Sequence, residues 1–478
     1  MPRLFRIAAI ALFGSAPAQA MQVAPAAANP PALLPAGSTP LSAEQLAVRI
    51  DSIVKADVLP RGFPSVSIVV TRAGRTLLDR VWGVANIATG QKADPASTYN
   101  IGSMAKQFTA ALVLKLAERG KLSVTDSIGR HLKGLRPEWN SITIEQLLNH
   151  TSGLARDFVT GRPEADNVPG DSLIAAAARD TLVSKPGTVW AYSNTGYMLL
   201  GVLIEKMYGK PYGVVLRDEI ARPLGLTSLG WCENVSSDHA ATGYIRSSDG
   251  KVTLRGYTHA SQDLGPSAIC STARDIAKWN QALHNGGVLS ATSYAAMTTP
   301  RGAATGKYGF GLVPRKTPWG APAISHDGED NGYSSHNGWF PAESLSVTLL
   351  YNALPRHEAN MADFVALIAL GGKPRPIPAM PVIDLPVAAT PGEGRPKFVG
   401  AYEISVGRMF IVTFEEGTLF VTPPGGTRQQ LFLRSGTSYA LGNPQSTTIV
   451  TFKVDADGAV TSFTARQNGI DRELRKIK

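Results

Sequence analysis

A dense run of prolines divides this chain and limits what it can fold into. Six prolines fall between Gly371 and Gly394. Proline lacks a backbone donor and has a fixed φ, so neither a packed helix nor a central strand tolerates that density. At 478 residues the chain is also too long for one ordinary core. We therefore predict a linker over 371–394 that separates a large domain, 42–370, from a C-terminal domain, 395–478.

The pattern changes completely after this linker. Short segments of alternating polarity follow one another, separated by turn signals such as Asp457-Gly458 and Asn468-Gly469. With SYALG as an eighth segment, they predict an all-β, up-and-down antiparallel barrel of lipocalin type. An open sandwich is the alternative that the sequence leaves open.

The N-terminus has the features of an export signal. Arg3 and Arg6 precede an apolar run, and Ala18-Gln19-Ala20 then offers small residues for cleavage. The apolar run of about ten residues is shorter than the ~20 that cross a bilayer. We predict a signal peptide over 1–20, cleaved near Ala20, an Ala/Pro-rich tether over 21–41, and a periplasmic or extracellular protein. No later segment predicts a transmembrane helix.

Composition narrows the possible partners. The net charge is +10, but the basic residues are scattered and no basic block has interleaved aromatics, so we expect no nucleic-acid partner. The histidines show no metal-ligand spacing, and we expect neither a metal nor a cofactor. Cys232 and Cys270 predict a disulfide in an oxidising compartment, with two separate buried thiols as the alternative. The oligomeric state stays open.

The first candidate for chemistry is a serine followed three residues later by a lysine. This spacing occurs at residues 52, 103 and 248, but only Ser103 opens a long helical pattern, which runs to about Gly120. There, the spacing places Lys106 on the same face one turn on, near the N–H groups of the helix start. A buried lysine can lose its charge and take the proton of a serine hydroxyl. The alternative is a helix cap with a solvated charge behind it.

Two further segments follow in the chain. Tyr192-Ser193-Asn194 is the only Tyr-x-Asn, and Ser325-His326-Asp327-Gly328 lies next to strand-like sequence. Taken singly, Tyr192 fits a core tyrosine and His326 fits a loop histidine. Their order after Ser103 favours a shared site.

Together these stretches resemble a known superfamily. The segments STYNIGSMAKQFTAALVL, EQLLNHTSGL, YSNTGY, ICSTARDIAKWN and HDGEDNGYSS are similar to serine β-lactamases and penicillin-binding proteins. They look closest to the class C branch, with its D-aminopeptidases, D,D-carboxypeptidases and family VIII esterases. The resemblance covers about 43–370. It implies an α/β (α+β) fold, in which a mixed sheet is packed between helices and an all-helical lobe adjoins the sheet, with the site in the groove between sheet and lobe.

The resemblance also implies catalytic roles. Ser103 would be the acylated nucleophile and Lys106 its activator, and Tyr192 would share the general base and acid role. His326 stands where relatives carry the lysine of Lys-Thr-Gly. The substrate would be a small molecule or a peptide.

Substrate-binding roles follow in the same way. Asn194 would hydrogen-bond Lys106 and the substrate amide. Gly328 would let the substrate lie along the strand edge, and the backbone N–H groups of Ser103 and Glu329 would form the oxyanion hole.

The chain departs from that pattern in its charge. Asp327, Glu329 and Asp330 crowd the corner where relatives bind a carboxylate. A like-charge contact at 4 Å costs about 4 kcal/mol at an effective dielectric near 20. We therefore expect β-lactams to be poor substrates and D-amino amides, short peptides or esters to be better ones, although strand alternation puts Asp327 opposite His326. The alternatives are a D,D-carboxypeptidase or class C-type β-lactamase, and a non-catalytic binding protein.

Overall fold

The computed structural model describes residues 38–246, 252–256, 258–354, 361–372, 397–405, 408–415, 418–422, 429–435, 437–442, 448–467 and 470–477. The predicted signal peptide 1–20 and nearly all of the tether and linker lie outside these residues. The domain boundaries therefore stay predictions.

The large domain alternates strands with helices. Its strands are β1 Ser65–Arg72, β2 Arg75–Asn86, β3 Gln91–Lys92, β4 Tyr99–Asn100, β5 Gly230–Trp231, β6 Tyr244–Arg246, β7 Val252–Leu254, β8 Ile269–Ser271, β9 Val313–Lys316, β10 Pro322–Asp330, β11 Tyr333–Phe340, β12 Leu345–Tyr351 and β13 Ala353–Leu354. Its α-helices are α1 Ala43–Ile53, α2 Lys106–Glu118, α3 Ile128–His131, α4 Ile144–Leu148, α5 Gly170–Ala177, α6 Asn194–Tyr208, α7 Tyr212–Leu216, α8 Arg222–Leu224, α9 Ala273–His284, α10 Ala291–Thr298 and α11 Met361–Ala369. Among the described residues, none of these helices has the length and apolar character that a bilayer crossing needs.

One seven-stranded sheet forms the frame, in the order β3-β2-β1-β12-β11-β10-β9. Its pairs are antiparallel throughout. The central strands β1 (SVSIVVTR) and β12 (LSVTLLY) are buried on both faces, and apart from Arg72 their polar side chains are small Ser and Thr hydroxyls or the ring of Tyr351. On one face Val66 and Ile68 pack with α1 and α11. On the other, Val69 joins a larger core with α2, α6 and α9. The predicted sheet between helices with a helical lobe is confirmed, with the correction that this sheet is antiparallel where the resemblance implied a mixed one.

The turn that carries Ser103 is fixed by its neighbours in the chain. Strand β4 leads into a 3₁₀ turn, Gly102–Ala105, and α2 begins directly after it. Gly102 has φ +54°, a left-handed conformation that glycine adopts without strain, and its N–H donates to Asn100 Oδ1 at 2.8 Å. Ser103 therefore lies inside the turn and does not cap a helix.

The predicted disulfide between Cys232 and Cys270 forms. Cys270 lies on β8, and β8 pairs with β4 through Tyr99 and Asn100. The disulfide therefore fastens the strand that is hydrogen-bonded to the approach of the Ser103 turn.

Replacing both cysteines by serine should lower stability. The sequence separation across the bond is 38 residues, for which loop-closure entropy gives a loss of about 3–4 kcal/mol. Urea unfolding of the Cys232→Ser/Cys270→Ser protein, beside wild type with and without reductant, measures this. An unchanged unfolding midpoint in the variant would contradict the expectation.

The C-terminal domain is a closed eight-stranded barrel. Its strands are β14 Gly400–Ser405, β15 Arg408–Glu415, β16 Thr418–Thr422, β17 Gln429–Ser435, β18 Ser438–Leu441, β19 Ile449–Val454, β20 Val460–Gln467 and β21 Ile470–Ile477. Each strand pairs with the next in sequence, and β14 pairs with β21 to close the ring. The barrel prediction is confirmed, the open sandwich is wrong, and the likeness to lipocalins stays a prediction.

Candidate active site

Ser103 and Lys106 meet at the start of α2. Lys106 Nζ lies 2.9 Å from Ser103 Oγ and donates to the carbonyl oxygen of Pro266 at 3.0 Å. The Lys106 side chain is fully buried, so the alternative of a solvated surface charge is wrong.

The surroundings of Lys106 favour its neutral form. Burial, followed by the positive charge of Arg156, holds its pKa well below the usual value. Its Nζ lies 4.9 Å from the centre of the Tyr192 ring and 5.5 Å from that of Tyr197. An amine enclosed by rings and a carbonyl can serve as a base near neutral pH.

Tyr192 completes the group from the segment before α6. The next residue, Ser193, caps this helix: its Oγ accepts from Gly196 N–H at 3.0 Å and donates to the carbonyl of Ala155 at 2.7 Å. Tyr192 is held there beside Ser103: burial raises its pKa, and the interaction with the Ser103 side chain lowers it. The structure thus brings Ser103, Lys106 and Tyr192 together.

Asn194 lies elsewhere than expected. Its Nδ2 donates to Asp157 Oδ1 at 2.6 Å, whereas the partners of Lys106 are Ser103 and Pro266. The reason is local, because the Asn194 backbone N–H is bonded to the carbonyl of Arg156. This bond directs the side chain toward the 156–157 segment. The predicted bond from Asn194 to Lys106 is therefore corrected to one with Asp157.

His326 lies on β10 with both ring nitrogens engaged. Nε2 is 2.7 Å from the hydroxyl of Tyr308, and Nδ1 is 2.7 Å from the carbonyl oxygen of Asp327. The Tyr192 and His326 ring centroids are 6.4 Å apart, so His326 adjoins the group around Ser103.

Asp327 faces the other side of the sheet. Its Oδ1 lies 3.4 Å from Nδ1 of the buried His336, its cross-strand neighbour on β11. This carboxylate is therefore not part of the acidic corner that the sequence suggested, while the exposed Glu329 and the half-buried Asp330 stay on β10 as possible members.

The backbone of Gly328 and Glu329 lies directly against the backbone of the Ser103 turn. A Cβ on Gly328 would meet the carbonyl oxygen of Ile101 at 2.0 Å, and one on Gly102 would meet the Glu329 nitrogen at 2.6 Å. Ser335 Oγ on β11 also donates to the Ile101 carbonyl, at 2.8 Å. Two glycines are needed here because β10 crosses the turn with no room for a side chain.

The sequence interpretation missed Arg156, which lies against the reacting group. Its guanidinium is 4.9 Å from the centre of the Tyr192 ring. It lowers the pKa of both Lys106 and Tyr192. Arg156 follows the segment EQLLNHTSGL by two positions, which indicates that it lies near the site. The segment does not show which way the Arg156 side chain points.

His150, inside that same motif, packs beneath Tyr192. Its ring centroid is 4.2 Å from that of Tyr192 and 4.4 Å from that of Tyr308. Its Nδ1 accepts from the Ser193 N–H at 3.1 Å, and its Nε2 is buried without a partner within the described residues. Burial holds its pKa well below the usual value, so His150 is a neutral support for the two tyrosines.

A pair of carboxyls, Asp263 and Asp330, lies close enough to act on Lys106. Asp330 Oδ2 accepts from Ser267 and from Asn100 Nδ2. Burial and the charge of Asp330 raise the pKa of Asp263, and burial raises that of Asp330. The sequence analysis missed Asp263, because its partner Asp330 lies in a different segment.

Comparison with known proteins was made with this geometry in hand. The beta-lactamase family model matches residues 50–370. A penicillin-binding protein from Bacillus subtilis (strain 168) is 26% identical over 439 residues, covering 86% of this chain and 95% of that protein. Protein flp from Staphylococcus aureus (strain COL) is 31% identical over 202 residues. That alignment spans 41% of each protein, well under half of flp.

Solved structures agree. The D-amino acid amidase from Ochrobactrum anthropi SV3, solved with L-phenylalanine amide, has a TM-score of 0.57 and 25% identity over 64% of this chain and 91% of that one. The octameric penicillin-binding protein homologue from Pyrococcus abyssi has a TM-score of 0.61 at 21% identity, over 90% of this chain and 100% of that one. At that identity, the second likeness shows the fold alone.

Proposed function

The chain belongs to the beta-lactamase family and is a serine hydrolase of that family, and we propose that Ser103 is its acylated nucleophile. The observation that carries this proposal is the 2.9 Å approach of a fully buried lysine amine to the Ser103 hydroxyl. A buried amine with a lowered pKa beside a serine hydroxyl is typical of a catalytic site and favours an enzyme over a binding protein.

The opposite pKa shifts of Lys106 and Tyr192 assign the acylation steps to these two residues. Lys106, with its lowered pKa, takes the Ser103 proton on its lone pair as Oγ attacks the substrate carbonyl carbon. The N–H groups of Ser103 and Glu329 receive the developing oxyanion. Tyr192, whose pKa is raised, keeps its proton until the carbon–nitrogen or carbon–oxygen bond breaks. It donates that proton to the leaving group and regains one from Lys106, and water hydrolyses the acyl-enzyme by the reverse transfers.

We propose amides of D-amino acids, short peptides and small esters as substrates. Burial and Arg156 lower the pKa of Lys106, and the carboxyls of Asp157, Asp263 and Asp330 all raise it, so acidic groups outnumber basic ones around this amine. A substrate ammonium would stabilise the ionised forms of Asp263 and Asp330, whereas a carboxylate would be repelled. The D-amino acid amidase relative supports the same class.

Turnover of matched substrates tests this proposal. We expect D-phenylalanine amide or p-nitrophenyl acetate to be hydrolysed at least tenfold faster than a cephalosporin, with Ser103→Ala inactive on all of them. Intact-mass spectrometry after brief exposure to benzylpenicillin should show no adduct. An adduct in wild type and not in Ser103→Ala would support Ser103 as nucleophile and overturn the exclusion of carboxylates. Equal turnover of the cephalosporin would also overturn that exclusion.

We also propose that the protein is exported, as the segment 1–20 predicts. The disulfide between Cys232 and Cys270 supports an oxidising compartment. Cell fractionation checks this, and a protein retained in the cytoplasm with 1–20 intact would contradict it.

A further inference from the structure

We propose that Asp330 is a positioning residue for both Ser103 and Lys106, because its carboxylate joins the hydrogen bonds that support each of them. This rests on the function proposed above. Asp330 takes no part in the acylation steps, and this role is separate from any attraction of its charge for a substrate ammonium.

A tight hairpin sets the place of Asp330. It is the last residue of β10 and pairs with Tyr333, the first residue of β11. Between them Asn331 and Gly332 have φ +47° and +84°, and a two-residue type I′ hairpin turn requires positive φ at both of these positions. The backbone of Asp330 is therefore closely defined, and its carboxylate can serve as a fixed acceptor.

The first support runs from Asp330 to the Ser103 turn. Asn100 Nδ2 donates to Asp330 Oδ2 at 3.2 Å, and Asn100 Oδ1 accepts from the Gly102 N–H at 2.8 Å. A backbone N–H can only donate, so the amide oxygen must face Gly102 and the amide nitrogen must face the carboxylate. Asp330 thus fixes the amide that holds Gly102, the residue directly before Ser103.

The second support runs from Asp330 to Lys106. The Ser267 hydroxyl donates to the same oxygen, Asp330 Oδ2. The preceding residue is Pro266, whose carbonyl oxygen accepts from Lys106 Nζ at 3.0 Å. The place of Ser267 therefore sets where this carbonyl meets the amine.

One oxygen atom joins the two supports. Both donors point at Asp330 Oδ2, so this oxygen carries no hydrogen. Removing the carboxylate would release both supports at once. Other bonds still hold the segments, because Thr109 Oγ1 donates to the Gly265 carbonyl at 2.7 Å and the Ile101 N–H donates to the Ile269 carbonyl at 3.0 Å. We therefore expect variants at position 330 to lose precision in the site and to keep the fold.

The test uses p-nitrophenyl acetate, which has no ammonium for Asp330 to attract. Asp330→Ala should lower kcat/KM about 10²-fold, the effect of a misplacement near 1 Å. Asp330→Asn keeps an oxygen that can accept from both donors, so it should regain at least about tenfold of that loss. An Asn variant as slow as the Ala variant would overturn the proposal, since charge and not position would then decide the rate.

A second comparison tests whether the two donors carry the effect. Asn100→Ala/Ser267→Ala removes both, and adding Asp330→Ala to that protein should cost less than about threefold, because the carboxylate then has nothing left to hold. A further loss of about 10²-fold in that background would refute the role of the two supports. Should Asp330→Ala fail to fold, Ser267→Ala alone decides: we expect a loss of about tenfold, and wild-type kcat/KM would overturn the proposal.

Asp275→Ala is the matched control. Asp275 is buried, and its Oδ2 likewise accepts two hydrogen bonds, from the N–H and the hydroxyl of Ser228, each at 2.7 Å. Its loss should lower the unfolding temperature and leave kcat/KM within about threefold of wild type. A loss of activity as large as that in Asp330→Ala would indicate general destabilisation and would overturn the proposal. Hydrolysis that persists in Ser103→Ala would instead overturn the proposed function.

Discussion

Lys106→Ala should lower kcat/KM by about 10⁴- to 10⁶-fold on every substrate, as expected when one member of a catalytic group that acts as a unit is removed. The reason is that the Lys106 Nζ is the nitrogen 2.9 Å from Ser103 Oγ and has a lowered pKa. Steady-state kinetics on an amide and an ester measures the loss. The same pKa gives the pH dependence: activity requires neutral Lys106, so it should decline as the pH falls through that pKa.

Lys106→Arg separates the role of a base from that of a charge. A guanidinium stays protonated at every accessible pH, so we expect this variant to be as inactive as Lys106→Ala. Thermal unfolding of both variants shows whether each is folded. A folded Lys106→Arg with more than a tenth of wild-type activity would refute Lys106 as the base.

Gly328→Ala should reduce kcat by at least about 10²-fold, the effect of losing an oxyanion donor or of a misplacement near 1 Å. The added Cβ would lie 2.0 Å from the Ile101 carbonyl oxygen and 2.5 Å from Ser335 Oγ. Backbone cannot yield cheaply, so β10 must move away from the Ser103 turn and carry the Glu329 N–H with it. Kinetics of the variant, with its unfolding temperature, measures the effect.

Gly256→Ala is the matched control for that change. A Cβ there meets no atom within 4 Å, so we expect wild-type kinetics. Near wild-type kcat in Gly328→Ala would show that the close crossing of strand and turn is not needed for catalysis.

Much of this arrangement could be predicted from the sequence because its parts are local. The Ser103 and Lys106 pair needs only one helical turn, and the barrel strands each pair with the next in sequence. The bond between Cys232 and Cys270 could also be predicted, because the chain has no third cysteine with which either could pair.

What the sequence did not predict depends on side chains that meet from distant segments. Asp263 and Asp330 are 67 positions apart in the sequence, and Arg156 reaches Tyr192 from a separate loop. Asn194 was assigned the wrong partner because the motif fixes its place at the start of α6 but not the direction of its amide. Strand alternation did foresee that Asp327 points away from His326, and the contact with His336 agrees.

The crossing of β10 over the Ser103 turn joins backbone to backbone, at Gly328 against Ile101 and at Gly102 against Glu329. The His326 side chain is attached to the same strand and takes no part in that crossing, whereas the Asp330 carboxylate accepts from Asn100 beside the turn. A lineage of such proteins can therefore exchange the side chain at position 326 by single mutations and acquire new substrates, while the crossing that serves bond cleavage is inherited unchanged.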